Sequence, residues 1–177
     1  MTFETIRVEE AGGVATLTLD RPEKLNALNV LMGEEICSAL EVLARSASAR
    51  VLVVTGAGRM FSSGGDLSSM DQIAGSASSI DHSVRIYCDV ARRLRELPLP
   101  VVAKINGDAF GGALGIMMAC DFRLARDDAR LGFVFTRVGL SGADAGVSYL
   151  LPRLVGVAKA VELLFLGETI AAPEAER

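Results

Sequence analysis

The run Val101-Val102-Ala103-Lys104-Ile105-Asn106-Gly107-Asp108-Ala109-Phe110-Gly111-Gly112-Ala113-Leu114-Gly115 passes from β-branched residues, through a glycine-containing turn, into an apolar segment. Residues 101–105 follow Pro98 and Pro100 and read as a strand covered on both faces, and residues 51–55, ending before Gly56, repeat that character. Between the two strands Ile80, Val84, Tyr87, Ala91 and Leu94 keep a helical stripe. Strand, helix and strand in succession make a βαβ unit, so the chain is expected to be an α/β fold with parallel strands. Residues 111–119 are apolar around the whole circumference, as in a helix enclosed by protein, and residues 123–125 resume as a strand.

Working outward, residues 14–19 read as a strand buried more heavily on one face, and residues 3–8 can pair with it through Gly12-Gly13. Over residues 30–45 Met32, Ile36, Leu40 and Leu43 recur at helical spacing, with Glu34, Glu35, Glu41 and Arg45 between them, which predicts an amphipathic helix. Residues 68–79 are rich in Ser, Gly and Ala and are expected to form a mobile surface segment, a candidate lid over a site.

With 177 residues, half of them hydrophobic, the chain is expected to form one domain over residues 1–177. A formal charge of -4 and a pI near 5.1 leave no basic footprint for nucleic acid. Cys37, Cys88 and Cys120 show no Cys-x-x-Cys spacing and read as reduced, buried thiols. Residues 1–10 lack the basic and apolar regions of a signal peptide, and the apolar stretch 109–120 is too short for the roughly 20 residues that cross a bilayer. A mean hydropathy of +0.37 therefore points to core or interface, and the expectation is a cytoplasmic protein with no membrane partner.

Two segments could carry chemistry. Phe61-Ser62-Ser63-Gly64-Gly65-Asp66-Leu67 follows one parallel strand and leads toward a helix, and Asn106 to Gly115 does the same after the other. Helix starts leave backbone N–H groups unpaired, and glycine admits close approach of a ligand. Two such amides converging on one oxygen would stabilise a developing oxyanion, where a single prepositioned donor lowers a barrier by about 3–4 kcal/mol. The plainer alternative is two tight turns without a ligand.

In their order and separation these two segments resemble the paired oxyanion signatures of the crotonase (enoyl-CoA hydratase/isomerase) family, and the resemblance covers nearly the whole chain. It implies a spiral of repeated ββα units, with parallel sheets and flanking helices. It also implies oxyanion donors at the amides of Gly65 and Gly112, and an acyl-CoA or enoyl-CoA substrate that brings coenzyme A with it, without a prosthetic group. Arg21-Pro22-Glu23-Lys24-Leu25-Asn26-Ala27-Leu28 is similar to the family's turn against the CoA nucleotide. By that resemblance Lys24 would meet a phosphate as a point charge, and Leu25, Ala27, Ser63, Gly64, Asp66 and Leu67 would join it in binding CoA. A proline turn alone would also account for residues 21–28. Asp66 has a competing role as the cap of the helix that follows it.

The departures from the family pattern matter as much. Hydratases of this family use two glutamates as general acid and base, and the matching positions here are Gly115 and Phe135. Neither residue can move a proton, so addition of water by two carboxylates is not supported. The nearest replacement is Asp144, in Gly139-Leu140-Ser141-Gly142-Ala143-Asp144-Ala145-Gly146, where one carboxylate could shuttle a proton between carbons as an isomerase requires. The alternative is that Asp144 caps a helix running to Leu151 and ended by Pro152. A CoA-thioester-binding protein without turnover is the rival reading of the whole chain.

Other signals are weak. Gly56-Ala57-Gly58 has Phe61 where a dinucleotide fingerprint needs its third glycine, and Gly139 to Ala143 narrowly misses a nucleophile elbow. The single histidine, His82, reads as solvated, and no metal site is expected. The residues from Gly167 to Arg177 resemble a segment that continues, in the family, into C-terminal helices that close the acyl pocket and build trimers or hexamers. Without those helices, apolar surface around residues 163–166 is expected to be exposed and to promote homo-oligomerisation.

Overall fold

A computed structural model describes residues 2–68, 77–142 and 144–177; for residues 77–81, 83 and 144 the backbone alone is described. The proposed lid therefore lies largely outside the described residues, and its last part, residues 77–79, is helical.

β1 (Ile6–Ala11) and β2 (Val14–Leu19) form the antiparallel hairpin, turning at Gly12 and Gly13 with φ of 59° and 83°. Positive φ at both central residues is what a two-residue turn matching the strand twist demands. β3 (Val51–Gly56), β4 (Val101–Ile105) and β6 (Phe122–Ala125) add in parallel, giving the order β1-β2-β3-β4-β6. The βαβ unit is thus present, with α2 (Ala77–Glu96) as its crossover. A second sheet holds β5 (Ala109–Phe110), β7 (Arg130–Gly132) and β8 (Thr169–Ala171) in the order β5-β7-β8.

α1 (Val30–Leu43) buries Met32, Ile36, Leu40 and Leu43, and Asn29 caps it by accepting from Met32 N at 2.9 Å. α3 (Gly112–Ala119) is enclosed from Ala113 to Ala119, as its unbroken apolar circumference requires. α4 (Val147–Val155), α5 (Val157–Leu166) and the short α6 (Ala172–Glu176) complete the fold.

Several expectations need correction. β3 and β4 are covered on one face only: Leu52, Val54, Ala103 and Ile105 are buried, whereas Val53 and Val102 are half-buried and Lys104 is exposed. β-branched composition alone therefore overstates the burial. Pro152 lies inside α4, which continues to Val155 and stops at Gly156, φ 80°. Proline removes a single N–H donor, and in so short a helix the ladder survives that loss. Of the predicted apolar patch Leu163 and Leu164 are buried, whereas Phe165 and Leu166 are exposed, at 75 % and 65 %, as are Val157 and Val161 of the same helix. Cys37 and Cys120 are buried thiols, but Cys88 is exposed.

Candidate functional site

Alongside β5 the chain brings three distant segments side by side. Leu28 pairs in parallel with Gly65, and Ser62 with Ala109. Leu28 N donates to Gly64 O at 2.8 Å, Asp66 N to Leu28 O at 2.9 Å, and Phe110 N to Ser62 O at 3.0 Å. The proline turn, the first glycine motif and the second are therefore neighbouring strands of one small layer.

Asn26 holds this layer together. It is wholly buried, with φ of 54°. Its side-chain NH2 donates to the carbonyls of Ala57, Met60 and Phe61 at 2.8, 2.9 and 3.2 Å, and its Oδ1 accepts from Arg21 N at 3.1 Å. The Ser62 hydroxyl donates to Asn26 O at 2.7 Å and accepts from Gly64 N at 3.1 Å. Arg21 reaches from the same turn to Ala27 O at 2.7 Å and to the Asp66 carboxylate at 3.0 Å. None of Arg21, Asn26 and Ser62 stood out as a site residue in the sequence. The available signal was an asparagine in a turn, a residue that tolerates the left-handed region and pairs with backbone.

The two motifs touch so closely that glycine is obligatory at Gly64. Its φ is 90°, and a Cβ there would lie 2.6 Å from Phe110 O and 3.5 Å from Gly111 Cα. Gly65 is exposed and Gly112 half-buried. Among the described residues neither the Gly65 N–H nor the Gly112 N–H donates to another group. Gly112 opens α3, where an N–H has no partner within the helix. The two candidate donors thus sit on adjoining segments with their hydrogens unused.

Asp66 behaves as the capping alternative anticipated. Its carboxylate accepts from Ser68 N at 3.2 Å and Ser68 Oγ at 2.6 Å, and residues 67–68 are helical. The Ser68 hydroxyl, then Arg21, hold this carboxyl below the ordinary aspartate range against the opposing effect of burial. Lys24 is exposed in the turn Pro22–Lys24 and forms no ion pair among the described residues. Leu25 (φ 54°) is half-buried and accepts from Ser63 N at 3.0 Å; Ala27 is buried and Leu67 exposed. A cleft of about 400 Å³ opens beside Leu25, Ser63 and Phe110, with Arg59, Arg126 and Arg130 on its walls. Gly65 and Gly112 do not line that cleft.

The positions of the two missing glutamates are both enclosed. Phe135 is 2 % exposed within the turn Val134–Val138. At Gly115 a Cβ would fall 2.2 Å from Ala145 O, so any side chain is excluded while the backbone stays in place. Asp144 opens the turn Asp144–Gly146 ahead of α4, and the cap position of α4 belongs to Gly146, without a side-chain cap. Asp144 is therefore not the residue at the helix cap, contrary to the alternative raised by the sequence. His82 is exposed and 3.1 Å from Glu34. Among the described residues no group of three or more His, Cys, Asp or Glu could hold a metal ion, and no helix is long and apolar enough to cross a membrane.

Comparison with known proteins agrees with this arrangement. The family model described as enoyl-CoA hydratase/isomerase matches residues 9–177. The chain is 40 % identical over 180 residues to a protein of Rhodobacter capsulatus named probable enoyl-CoA hydratase, covering 100 % of this chain and 67 % of that one. It is 38 % identical over 178 residues to the trans-2-decenoyl-acyl-carrier-protein isomerase of Streptococcus mutans, covering 99 % and 67 %. A crystal structure of an enoyl-CoA hydratase from Bacillus anthracis superposes with a TM-score of 0.90 at 36 % identity, covering 98 % of this chain and 67 % of that one. The chain thus spans about two thirds of the length of these relatives. Parallel strands in this order, two glycine motifs joined edge to edge, and a family match over almost every residue lead to one assignment: the chain belongs to the enoyl-CoA hydratase/isomerase (crotonase) family.

Proposed function

We propose that the chain binds acyl-CoA and enoyl-CoA thioesters and moves the double bond of an enoyl-CoA, with the Gly65 and Gly112 amides holding the enolate oxygen and Asp144 carrying the proton. The supporting observation is the pair of unpartnered amides on adjoining glycine segments. In the step envisaged, the Asp144 carboxylate takes a proton from C2 of a 3-enoyl thioester. The electron pair of that C–H bond passes into the dienolate, whose oxygen the two N–H groups stabilise. The same carboxyl then returns the proton at C4, the double bond settles between C2 and C3, and no water is consumed. Isomerisation needs one proton carrier, whereas hydration needs an acid and a base. With glycine at 115 and a buried phenylalanine at 135, a single carboxylate suits this site better. A relative named as an isomerase of an enoyl thioester is consistent with that choice.

The nucleotide of CoA would lie along the turn of residues 21–28. Lys24 is free there to meet a phosphate, Leu25 and Ala27 shape the turn, and Ser63, Gly64, Asp66 and Leu67 form the facing segment. Because the Asp66 carboxylate is already engaged by Ser68 and Arg21, its part in binding would fall on its backbone. The chemistry asks for no prosthetic group. Residues 115 and 135 also keep the rival alive, a protein that binds the thioester without turning it over. The two are separated by assaying 3-enoyl-CoA isomerisation and crotonyl-CoA hydration with the wild type and Asp144→Asn. Isomerisation that the Asp144→Asn substitution lowers by about 100-fold or more, to a measurable residual rate, supports the enzyme; binding of both thioesters with turnover of neither supports the rival.

A further inference from the structure

The helix that begins at Gly112 shows two bare positions one turn apart, Gly112 and Gly115, and the turn after Asp144 rests in the notch they leave. A Cβ at Gly115 would meet Ala145 O at 2.2 Å and Ala145 Cβ at 2.8 Å, and one at Gly112 would lie 3.9 Å from the same methyl. Ala145 is 1 % exposed and holds φ at 51°, a conformation that alanine rarely adopts. The three atoms nearest to a Cβ at Gly115 are the Ala145 backbone and its methyl group, so no rotamer can absorb a change there. The helix side is equally unyielding, because α3 is buried from Ala113 to Ala119.

We propose that Gly115 and Ala145 are positioning residues: their contact seats the turn carrying Asp144 at a set distance from the Gly112 amide, and the same contact shuts position 115 to any acid or base. The first half rests on the reading of Asp144 as proton carrier; the second half does not. The missing glutamate is thus replaced by a chain segment that occupies its place. Restoring the carboxylate alone by Gly115→Glu would displace the turn and would not create a hydratase.

The test is a double-mutant cycle on the full chain, with Gly115→Ala, Ala145→Gly and Asp144→Asn singly, and each of the first two combined with Asp144→Asn. Isomerisation kinetics and the affinity for a saturated acyl-CoA are measured for each variant. To restore an ordinary contact of 3.4 Å the turn must retreat by more than 1 Å in Gly115→Ala, a displacement that costs about 100-fold in kcat when it misplaces a reacting group. The expected pattern is a fall in kcat with acyl-CoA affinity held, and no further fall when Asp144 is already replaced by asparagine. Ala145→Gly provides a second readout should Gly115→Ala fail to fold: it removes the methyl that packs on Gly115, and because glycine is at ease at this φ the loss of that buried methyl is expected to be offset and the melting temperature to hold. Wild-type kcat in Ala145→Gly, or losses that persist undiminished in the Asp144→Asn background, would overturn the positioning role. Full isomerase activity in Asp144→Asn alone would instead remove the proton carrier, and hydration of crotonyl-CoA by Gly115→Glu would overturn the exclusion of position 115.

Discussion

Replacing Asn26 by alanine should unfasten the layer that presents both glycine motifs. Two donated hydrogen bonds can be counted from the single NH2, shared among the Ala57, Met60 and Phe61 carbonyls, and one accepted bond from Arg21 N. At about 1 kcal/mol for each bond the loss is about 3 kcal/mol. Alanine at φ 54° adds about 1 kcal/mol, because a Cβ without a local polar partner is disfavoured in the left-handed region. The expected destabilisation is therefore about 4 kcal/mol, or a fall in Tm of about 8–16 °C for a chain of this size. Urea unfolding of the wild type, Asn26→Ala and Asn26→Gly measures both contributions. Glycine removes the same hydrogen bonds but not the freedom to adopt positive φ, so it should retain about 1 kcal/mol relative to alanine on that account. A loss below about 1 kcal/mol in Asn26→Ala would refute the assignment of Asn26 as the staple. Equal stability of the two variants would refute the conformational part.

Gly64→Ala should cost about 1–3 kcal/mol of stability and at least about 100-fold in kcat/KM, because its Cβ would enter the space of Phe110 O; thermal unfolding and steady-state kinetics check both. The Asp108 carboxylate accepts from Arg130 Nη2 at 2.6 Å, Arg130 Nε at 3.1 Å and Arg130 N at 2.9 Å, and chiefly the side-chain bonds hold its pKa below the ordinary value. A depressed pKa in the folded state contributes stability that is present above the unfolded value near 4 and is lost as pH falls through the folded one. Asp108→Asn should therefore lower Tm at pH 7, and the difference from wild type should begin to shrink as the pH falls below about 4 and vanish once the pH is below the folded pKa; a difference at about pH 2 unchanged from that at pH 7 would refute the linkage. Burial pushes the Cys120 thiol up to about 12 and raises that of Cys37, whereas Cys88 is exposed. Thiol titration at pH 8 should find only Cys88 reactive in the native protein and all three cysteines reactive in denaturant.

The elements that could be read without a structure were those whose signal is local. The stripe of Met32, Ile36, Leu40 and Leu43 and the Gly12-Gly13 hairpin are both found where the pattern places them. So is the apolar run of α3, and so are the two glycine motifs at strand ends. Errors arose where a residue's surroundings come from elsewhere in the chain. Val53 and Val102 carry the same β-branched signal as Val54 and Val101, yet only the arrangement of helices decides which face is covered. Pro152 is a helix breaker in isolation, but α4 is short enough to continue past it. Asp144 has the composition of a cap, and Gly146 takes that place because the turn before α4 uses left-handed residues at Ala145 and Gly146.

Periodicity and glycine placement thus sufficed for the parallel α/β architecture, because they depend on sterics within a few residues, and the resemblance carried by the two glycine motifs pointed to the family. The covering of β3 and β4, the hydrogen bonds of Asn26 and the closure of position 115 by Ala145 belong to the tertiary structure. They arise from contacts between residues about 30 apart in the chain, Asn26 with Ala57 and Gly115 with Ala145. Such contacts depend on how whole elements are seated against one another, and no local pattern specifies that geometry.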